Sequence, residues 1–403
     1  MIPEIPKPDL VRAIARRIAD AGGRAFLVGG AVRDHFMARN PLDYDVEVHG
    51  LAEEKLLEIL DRHGRAVKVG KSFANFLVSG LPIDWSIPDP PTSPARDGDW
   101  SDSVREAAAR RDLTINALAI DLIDGTLHDP FGGKADIDNK RLKWCDKETF
   151  DLDPLRLLRV MGFIARFELE IDPELTELCR GLDLSGVSAE RIEGEFDKLL
   201  LRSSRPSLGL FWLGSMQRLG EFLAPLHTLT VPELFERLMA LDRLAIEKYA
   251  DDEKELAVLW AALGAGIEGV LPGERIIQRQ KVLKWRASLC ECLAELRVGD
   301  DNLDYLLKRL AHRLSPDWDL HHLLLIEEAF ACGARKAPPI ELRKRAIELG
   351  ILDKEEKPLV KSGDLKGLAE PGPKMGRLLK EAYEIQIREG IGDKGEILSK
   401  LKA

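Results

Sequence analysis

Two aspartates, Asp43 and Asp45, are separated by one residue in the segment from Phe26 to Gly50. The pattern predicts that an apolar strand ends at Gly29-Gly30, that a short helix follows, and that the next strand carries both acids. Side chains alternate along a strand, so both carboxylates would project from the same face. Neighbouring carboxylates repel each other unless a cation compensates, and hard oxygen ligands suit Mg²⁺, which also binds substrate phosphates. The pair therefore predicts a Mg²⁺ site for phosphoryl transfer.

The residues just before these acids are suited to phosphate. Gly29 and Gly30 would let a phosphate approach the backbone where a helix begins, and Arg33 would place a cation beside a triphosphate tail. A tight turn followed by a solvated strand edge is the alternative interpretation. Because Val46 and Val48 make the following strand apolar enough to be buried, the nucleotide-handling interpretation is favoured.

A third carboxylate, Asp84, lies in the segment LPIDWSI on another predicted strand of the same domain. It would share the metals or take the proton from an attacking hydroxyl. An acid on an edge strand that faces water is an equally good interpretation.

The segment RRDLTINA begins with two arginines and Asp112, and mostly apolar residues follow. Arg111 would meet phosphate while Asp112 accepts a ribose hydroxyl, and Asp112 also suits the N-cap of a helix. A capped helix with solvated arginines is the weaker interpretation.

Three charged residues, Asp153, Arg156 and Arg159, recur at every third position of a predicted helix and would share its polar side. An aspartate accepts hydrogen bonds and an arginine donates them, so together they can match the Watson–Crick edge of a base. The alternative is a surface ion pair worth less than about 1 kcal/mol.

The elements that would position these residues form two regions. The first third has alternating helix and strand patterns, and Asp129–Gly133 interrupts them as the first domain boundary. Beyond it nearly every segment has helical periodicity. A Pro- and Asp-rich segment, Pro88–Asp102, is predicted to be a mobile loop. Helices are predicted at Asp9–Ala21, Ala52–His63 and from Val104, and strands at Ala25–Val28, Ala66–Val69, Phe73–Ser79, Pro82–Ile87 and Ala117–Leu122.

Composition places the 403 residues among ordinary globular proteins, with 45% hydrophobic and 32% charged residues. No apolar run is long enough for a membrane span, the N-terminus lacks the apolar core of a signal peptide, and the five cysteines are scattered, so we expect a cytoplasmic protein. The net charge of −10 argues against nonspecific coating of nucleic acid. Residues 335–403, however, carry 16 Lys/Arg against 12 Asp/Glu, which would let that region grip an anionic polymer.

Five ordered segments together resemble the class II tRNA nucleotidyltransferases, the CCA-adding enzymes that share an ancestor with bacterial poly(A) polymerases in the polymerase β superfamily. The segments are GGAVRD…LDYDVEV, RRDLTINALAIDLIDGTLHDPFGG, LDPLRLLRVMGFIARF, AERIEGEFDKLL and GDLKGLAEPGPKMGRLLKEAYE.

The resemblance implies an α+β fold with a polymerase β-like head that contains a mixed sheet, followed by an all-α neck, body and tail near 1–136, 137–205, 206–330 and 331–403. Its implied reaction is template-independent, Mg²⁺-dependent addition of CMP and AMP from CTP and ATP to the tRNA 3′ end. The neck would recognise the base and the tail would hold the tRNA elbow.

Residue by residue, the resemblance assigns roles to the motif positions. Asp43 and Asp45 match the metal pair. Asp153 and Arg156 match the pair that reads the incoming base, and Arg159 matches a further nucleotide contact. The positions that match triphosphate, phosphate and ribose contacts are Gly29, Gly30, Arg33, Arg111 and Asp112.

The chain departs from the family pattern in three places. Leu152 stands where a Glu is common, Gly162 stands where an Arg is frequent, and the loop Pro88–Val104 is short and lacks the basic residues expected from the family. Nucleotide transfer is therefore predicted more firmly than full CCA synthesis. The open alternatives are a CC-adding, A-adding or poly(A) enzyme, an inactive RNA-binding relative, and a small-molecule nucleotidyltransferase, which would leave the helical region unexplained.

Overall fold

A computed structural model describes residues 3–69, 75–92, 98–330 and 339–402. The chain divides into two compact units, Met1–Val187 and Ser188–Ala403. All strands of the described residues lie in the first unit, and the second unit is helical there. The predicted α+β class, with a mixed sheet followed by helices, is confirmed. The division into head, neck, body and tail remains a prediction.

Seven strands of the first unit form one sheet in the order β3-β4-β5-β2-β1-β6-β7. Strands β2 and β5 are parallel and every other neighbouring pair is antiparallel, so the sheet is mixed. The strands are β1 Arg24–Val28, β2 Asp45–His49, β3 Ala66–Val69, β4 Asn75–Val78, β5 Leu81–Ser86, β6 Ala119–Asp121 and β7 Leu127–His128.

Helices cover this sheet because their apolar residues recur on one side. In the first helix Val11, Ile14, Ala15 and Ile18 are all fully buried, at the spacing of one helical face. The helices of the unit are α1 Pro8–Asp20, α2 Gly30–Phe36, α3 Glu53–Asp61, α4 Ser101–Ala109, α5 Gly133–Asp138, α6 Lys147–Phe150, α7 Arg156–Phe167 and α8 Pro173–Gly181.

The observed elements follow the sequence pattern with three differences. Helix α4 begins at Ser101, inside the segment predicted as a loop, whose residues 93–97 lie outside the described residues. Residues 73 and 74 of the predicted third strand also lie outside them. The predicted all-helical neck contains a short parallel pair, β8 Arg141–Leu142 and β9 Glu170–Ile171.

The second unit is built around α13, in which ten consecutive residues are buried. Among the described residues, no helix is both long enough and apolar enough to cross a membrane. Cys332 lies outside the described residues, and the other four cysteines are free thiols. The helices are α9 Ala189–Arg202, α10 Pro206–Ser215, α11 Leu219–Phe222, α12 Val231–Leu244, α13 Asp252–Gly264, α14 Gln280–Val298, α15 Leu303–Leu314, α16 Leu320–Phe330, α17 Pro339–Glu348, α18 Pro373–Glu389 and α19 Lys394–Lys400.

Candidate active site

Three carboxylates meet at one edge of the sheet. Asp45 is the first residue of β2 and its partner on the parallel strand β5 is Asp84, so the two side chains leave the sheet on the same side. The backbone N–H of Asp84 donates to the carbonyl of Tyr44 at 2.9 Å, which continues this pairing beyond β2. Asp84 therefore lies on an inner strand beside Asp45 and not on an edge strand, although its side chain is exposed to water.

Asp43 was predicted on the same strand as Asp45, and that placement is wrong. Strand pairing begins at Asp45, opposite Val28, so Asp43 lies in the connection before β2. The alternation of a strand therefore does not orient its side chain. Its charge nevertheless raises the pKa of both Asp45 and Asp84, so the three acids are electrostatic neighbours.

The pKa values of two of these carboxylates are shifted by their surroundings. Burial raises the pKa of Asp45; Arg111 opposes this shift, while Asp84, Asp43 and Glu47 add to it. Burial and then Asp43 raise the pKa of Asp84. In the described part of the chain, no group of three or more His, Cys, Asp or Glu side chains is placed so that it could hold a metal ion. Two carboxylates are enough for Mg²⁺, which binds through one or two of them and takes its other ligands from water and phosphate.

Gly29 lets the Arg111 guanidinium approach the backbone next to these acids. Its φ of +67° is a conformation that other residues adopt only with strain. A Cβ atom there would lie 2.9 Å from Arg111 Nη1 and 3.7 Å from Asp45 Oδ2. At Gly30 a Cβ would lie 3.4 Å from Arg33 Nη2. The absence of a side chain at Gly29 thus leaves a guanidinium and a carboxylate facing the same space.

Arg111 is held in that space by Glu47, which the sequence interpretation missed. Arg111 Nη2 donates to Glu47 Oε1 at 2.5 Å, and Arg111 Nη1 donates to the carbonyl of Asn116 at 3.3 Å. Burial raises the pKa of Glu47, but Arg111 and His49 outweigh it and bring that pKa to about 2. A signal was available, because Glu47 follows Asp45 by two residues and so lies on the same face of β2.

Arg33 lies in a buried network and not at an open phosphate site. Its Nε and Nη2 atoms donate to Asp34 Oδ1 at 2.8 and 2.7 Å, and Nη1 donates to Asn116 Oδ1 at 2.7 Å. Its guanidinium lies 5.4 and 4.7 Å from the ring centroids of Phe163 and Phe167. In this structure Arg33 joins α2 to α7 and to the turn at Asn116, and its predicted contact with a triphosphate stays a prediction.

Asp112 continues the same network. It accepts from Asn116 Nδ2 at 2.9 Å, from the backbone N–H of Leu113 at 2.8 Å and from Arg159 Nε at 2.7 Å. Burial raises its pKa, but Arg159 and these hydrogen bonds outweigh it and lower that pKa. A 3₁₀ turn, Thr114–Asn116, follows without a side-chain cap, so the predicted N-cap role is wrong. Asp112 and Arg159 are brought together although they are far apart in sequence.

The predicted polar side of the helix includes Arg156 and Arg159 but not Asp153. Helix α7 begins at Arg156, so Asp153 precedes it, and Asp153 Oδ1 accepts from the backbone N–H of Leu155 at 3.3 Å. The Arg156 guanidinium donates to the carbonyl of Thr149 at 2.9 Å and to that of Arg110. Arg156 therefore fixes backbone in this structure, while Arg159 points to Asp112.

Two of the departures from the family pattern are open positions. Leu152 is 80% exposed, and a Cβ added at Gly162 would meet nothing within 4 Å. Neither position contains a packed side chain that replaces the charged residue common in relatives.

Comparison with known proteins identifies the family. Residues 25–143 match the family described as the Poly A polymerase head domain. The chain is 35% identical over 214 residues to a CCA-adding enzyme of Bacillus subtilis, a match that spans about half of each chain, 48% of this one and 51% of the relative. It is 32% identical over 305 residues to a Multifunctional CCA protein of Stenotrophomonas maltophilia, covering 69% of this chain and 73% of that relative. The chain belongs to the class II tRNA nucleotidyltransferases.

The fold of this tRNA nucleotidyltransferase agrees with that assignment. A crystal structure of the Bacillus stearothermophilus CCA-adding enzyme in complex with CTP superposes with a TM-score of 0.73, covering 99% of this chain and 98% of that one. Sequence identity across the superposition is 23%, so the likeness concerns the fold. The carboxylates at Asp45 and Asp84 lie within the residues that match the family head domain.

Proposed function

We propose that this protein adds CMP and AMP, without a template strand, to the 3′ end of tRNA and so builds or repairs the CCA end. The observation that carries the proposal is the pairing of Asp45 with Asp84 beside Gly29, where the Arg111 guanidinium also lies. Negative ligands for a metal and a positive group for phosphate are what a nucleoside triphosphate requires.

We assign Asp43 and Asp45 as the ligands of Mg²⁺. The bound metal would supply charge neutralisation of the triphosphate and of the leaving pyrophosphate. The 3′-hydroxyl oxygen of the tRNA would form a bond to the α-phosphorus, and the bond from that phosphorus to the bridging oxygen of pyrophosphate would break. Asp84 would accept the hydroxyl proton, a role that its raised pKa supports.

The nucleotide would be held on the side of the acids that faces α7. Arg111 lies beside Gly29 and would contact the phosphates, and Asp112, fixed by Arg159, would support the ribose side. Asp153 lies just before α7 and keeps its assignment as a reader of the base edge. Arg156, which donates to two backbone carbonyls, would have to exchange those bonds to contact a base.

The direct test offers the purified protein three tRNA substrates that end at the discriminator base, at C or at CC. CTP and ATP are supplied separately and together with Mg²⁺, and products are resolved at single-nucleotide length. The proposal predicts C additions to the first two substrates with CTP and one A addition to the third with ATP. Asp45→Asn should remove all additions, while Asp20→Asn, at an exposed end of α1, serves as the matched control.

Each other pattern of tRNA extension would identify one of the alternative functions or contradict the enzymatic assignment. CC addition without A addition would identify a CC-adding specialist, and A addition only to the CC-ended substrate would identify an A-adding one. A long A tract would identify a poly(A) polymerase. No extension under any condition, from a folded protein that still binds tRNA, would contradict the enzymatic assignment.

A further inference from the structure

Glu47 occupies an unusual position between two groups of the candidate site. It lies two residues after Asp45 on β2 and makes the 2.5 Å ion pair with Arg111. Both side chains are mostly buried, 17% exposed for Glu47 and 22% for Arg111. Ion pairs shielded from water in this way hold their geometry more firmly than surface pairs.

The Arg111 guanidinium also lies near a second carboxylate, that of Asp45. The Cβ position at Gly29 lies 2.9 Å from Arg111 Nη1 and 3.7 Å from Asp45 Oδ2, so the guanidinium and the Asp45 carboxylate border the same small space. An arginine without Glu47 would find Asp45 as its natural partner. A guanidinium bound to Asp45 would occupy the oxygen atoms that a divalent cation needs.

Glu47 is itself held from the other side. His49, which is 1% exposed, has Nε2 3.7 Å from Glu47 Oε2 and Nδ1 2.6 Å from Thr92 Oγ1. The backbone N–H of Gly50 donates to the Thr92 carbonyl at 3.0 Å. The carboxylate of Glu47 is thus fixed between a histidine and an arginine, and Thr92 supports that histidine.

We propose that Glu47 is a positioning residue that keeps the Arg111 guanidinium away from Asp45 and so leaves Asp45 available to a divalent cation. The inference rests on the metal-binding role of Asp45 in the proposed function. In this proposal Glu47 does not touch the cation, and its effect on cation binding is exerted through Arg111.

The experiment measures Mn²⁺ binding to the free full-length protein by electron paramagnetic resonance, which needs neither tRNA nor CTP. Glu47→Gln removes the charge and keeps the shape, and it should weaken Mn²⁺ binding on the order of fivefold to tenfold, since Arg111 then competes for Asp45. The same change in an Arg111→Met background should have little effect, because the competitor is gone. Glu54→Gln, exposed on α3, is the control for loss of one negative charge.

The double variant separates positioning from simple charge loss. An equal weakening of Mn²⁺ binding by Glu47→Gln in both backgrounds would overturn the proposal, since Glu47 would then act on the cation directly. No weakening in either background would overturn it as well. If Glu47→Gln does not fold by circular dichroism, Glu47→Asp, whose shorter side chain loosens the pair, carries the same comparison.

Failure of the proposed function gives a different pattern. Asp45→Asn should itself weaken Mn²⁺ binding, and unchanged binding in that variant would remove Asp45 from the metal site. A protein that binds Mn²⁺ as expected but extends no tRNA would contradict the proposed reaction and leave the role of Glu47 standing.

Discussion

Asp45 and Asp84 are partners on the only parallel pair of strands in the seven-stranded sheet of the described residues, β2 and β5. Their carboxylates leave the sheet on the same side, and burial raises the pKa of each. Asp45 is half-buried and Asp84 is exposed, and two like charges held side by side repel each other unless a cation compensates. The pairing of β2 with β5 is thus the feature of the fold that builds the site.

Loss of either metal-site carboxylate should stop nucleotide addition without preventing tRNA binding. We expect Asp43→Ala and Asp45→Ala each to lower the rate of CMP addition by at least about a hundredfold, because the triphosphate then lacks a bound metal. The measurement is single-turnover CMP addition, paired with a filter-binding assay for tRNA. A loss well below that size in both variants would exclude the two residues as metal ligands.

Asp84 should affect the chemical step more than nucleotide binding. Asp84→Asn keeps the side-chain shape but cannot accept the hydroxyl proton, so kcat for CMP addition should fall while the Kd for CTP stays close to that of the unaltered protein. Single-turnover kinetics over a CTP series separates the two quantities. A rise in the CTP Kd with unchanged kcat would assign Asp84 to nucleotide binding instead.

The sequence pattern identified the elements but not the contacts between them. Asp45 and Asp84 could each be assigned to a strand, yet their register follows only from the parallel pairing of β2 with β5. Arg33 was expected to face a phosphate because nothing local reveals Asn116, its partner 83 residues away. Its neighbour Asp34 was visible in the sequence, although its burial was not.

Element boundaries caused the other differences. The acids Asp43 and Asp153 each precede the strand or helix to which periodicity assigned them. Periodicity in sequence does not show at which residue a strand or a helix begins, and here β2 begins at Asp45 and α7 at Arg156. The prediction that both acids share one face of a strand therefore failed for Asp43, and the prediction of a shared helix face failed for Asp153. The alternation of side chains along a strand does place Glu47 correctly, because Glu47 lies inside β2.

Removal of the buried Arg33 guanidinium should destabilise the fold. In Arg33→Met the Asp34 carboxylate and the Asn116 side-chain oxygen lose the hydrogen bonds of the guanidinium in a buried environment, and we expect a loss of about 3–5 kcal/mol in the free energy of unfolding. Arg39→Met is a matched control, because the exposed Arg39 lies 4.9 Å from the same Phe167 ring that Arg33 contacts. Urea unfolding of both variants measures the difference. Equal, small effects would show that the network contributes little to stability.

Asp112 should make stability depend on pH. Its pKa is lowered in the folded state, so its ionised form stabilises the fold above the unfolded value of about 3.9, and this contribution is lost as pH falls through the folded pKa. The destabilisation caused by Asp112→Asn should be largest near neutral pH and should shrink below about pH 4. Urea unfolding at several pH values tests this, and a destabilisation independent of pH would contradict it.

Base selection should depend on Asp153 more than on Arg156. If Asp153 reads the base edge, Asp153→Ala should reduce discrimination of CTP and ATP against UTP and GTP by roughly 1–3 kcal/mol for each hydrogen bond to the base that is removed. Arg156→Ala should also lower thermal stability, because its guanidinium donates to the Thr149 and Arg110 carbonyls. Competition among the four nucleoside triphosphates measures base discrimination, and melting temperatures of the same variants measure stability. Unchanged base preference in Asp153→Ala would leave that residue a structural role only.

The excess positive charge of residues 335–403 is predicted to hold tRNA, and the packing of α18 shows why deletion is a poor test. Tyr383 and Ile387 of α18 are buried with Tyr305 of α15, and Tyr305 Oη donates to Glu384 at 2.6 Å. Removing the whole segment would therefore uncover apolar surface and confuse unfolding with weaker binding.

Three basic residues on α18, Lys374, Arg377 and Lys380, are exposed and spaced by three along the helix. Changing all three to Ala should weaken tRNA binding and lower the slope of log affinity against log salt by about 1 for each phosphate that is no longer bound. CTP binding should not change, because it is assigned to the first unit. Lys284→Ala, 79% exposed on α14, is the control for removing surface charge elsewhere. If the triple variant binds tRNA with the same affinity and salt slope as the unaltered protein, this face of α18 binds no phosphates and the grip must come from other residues.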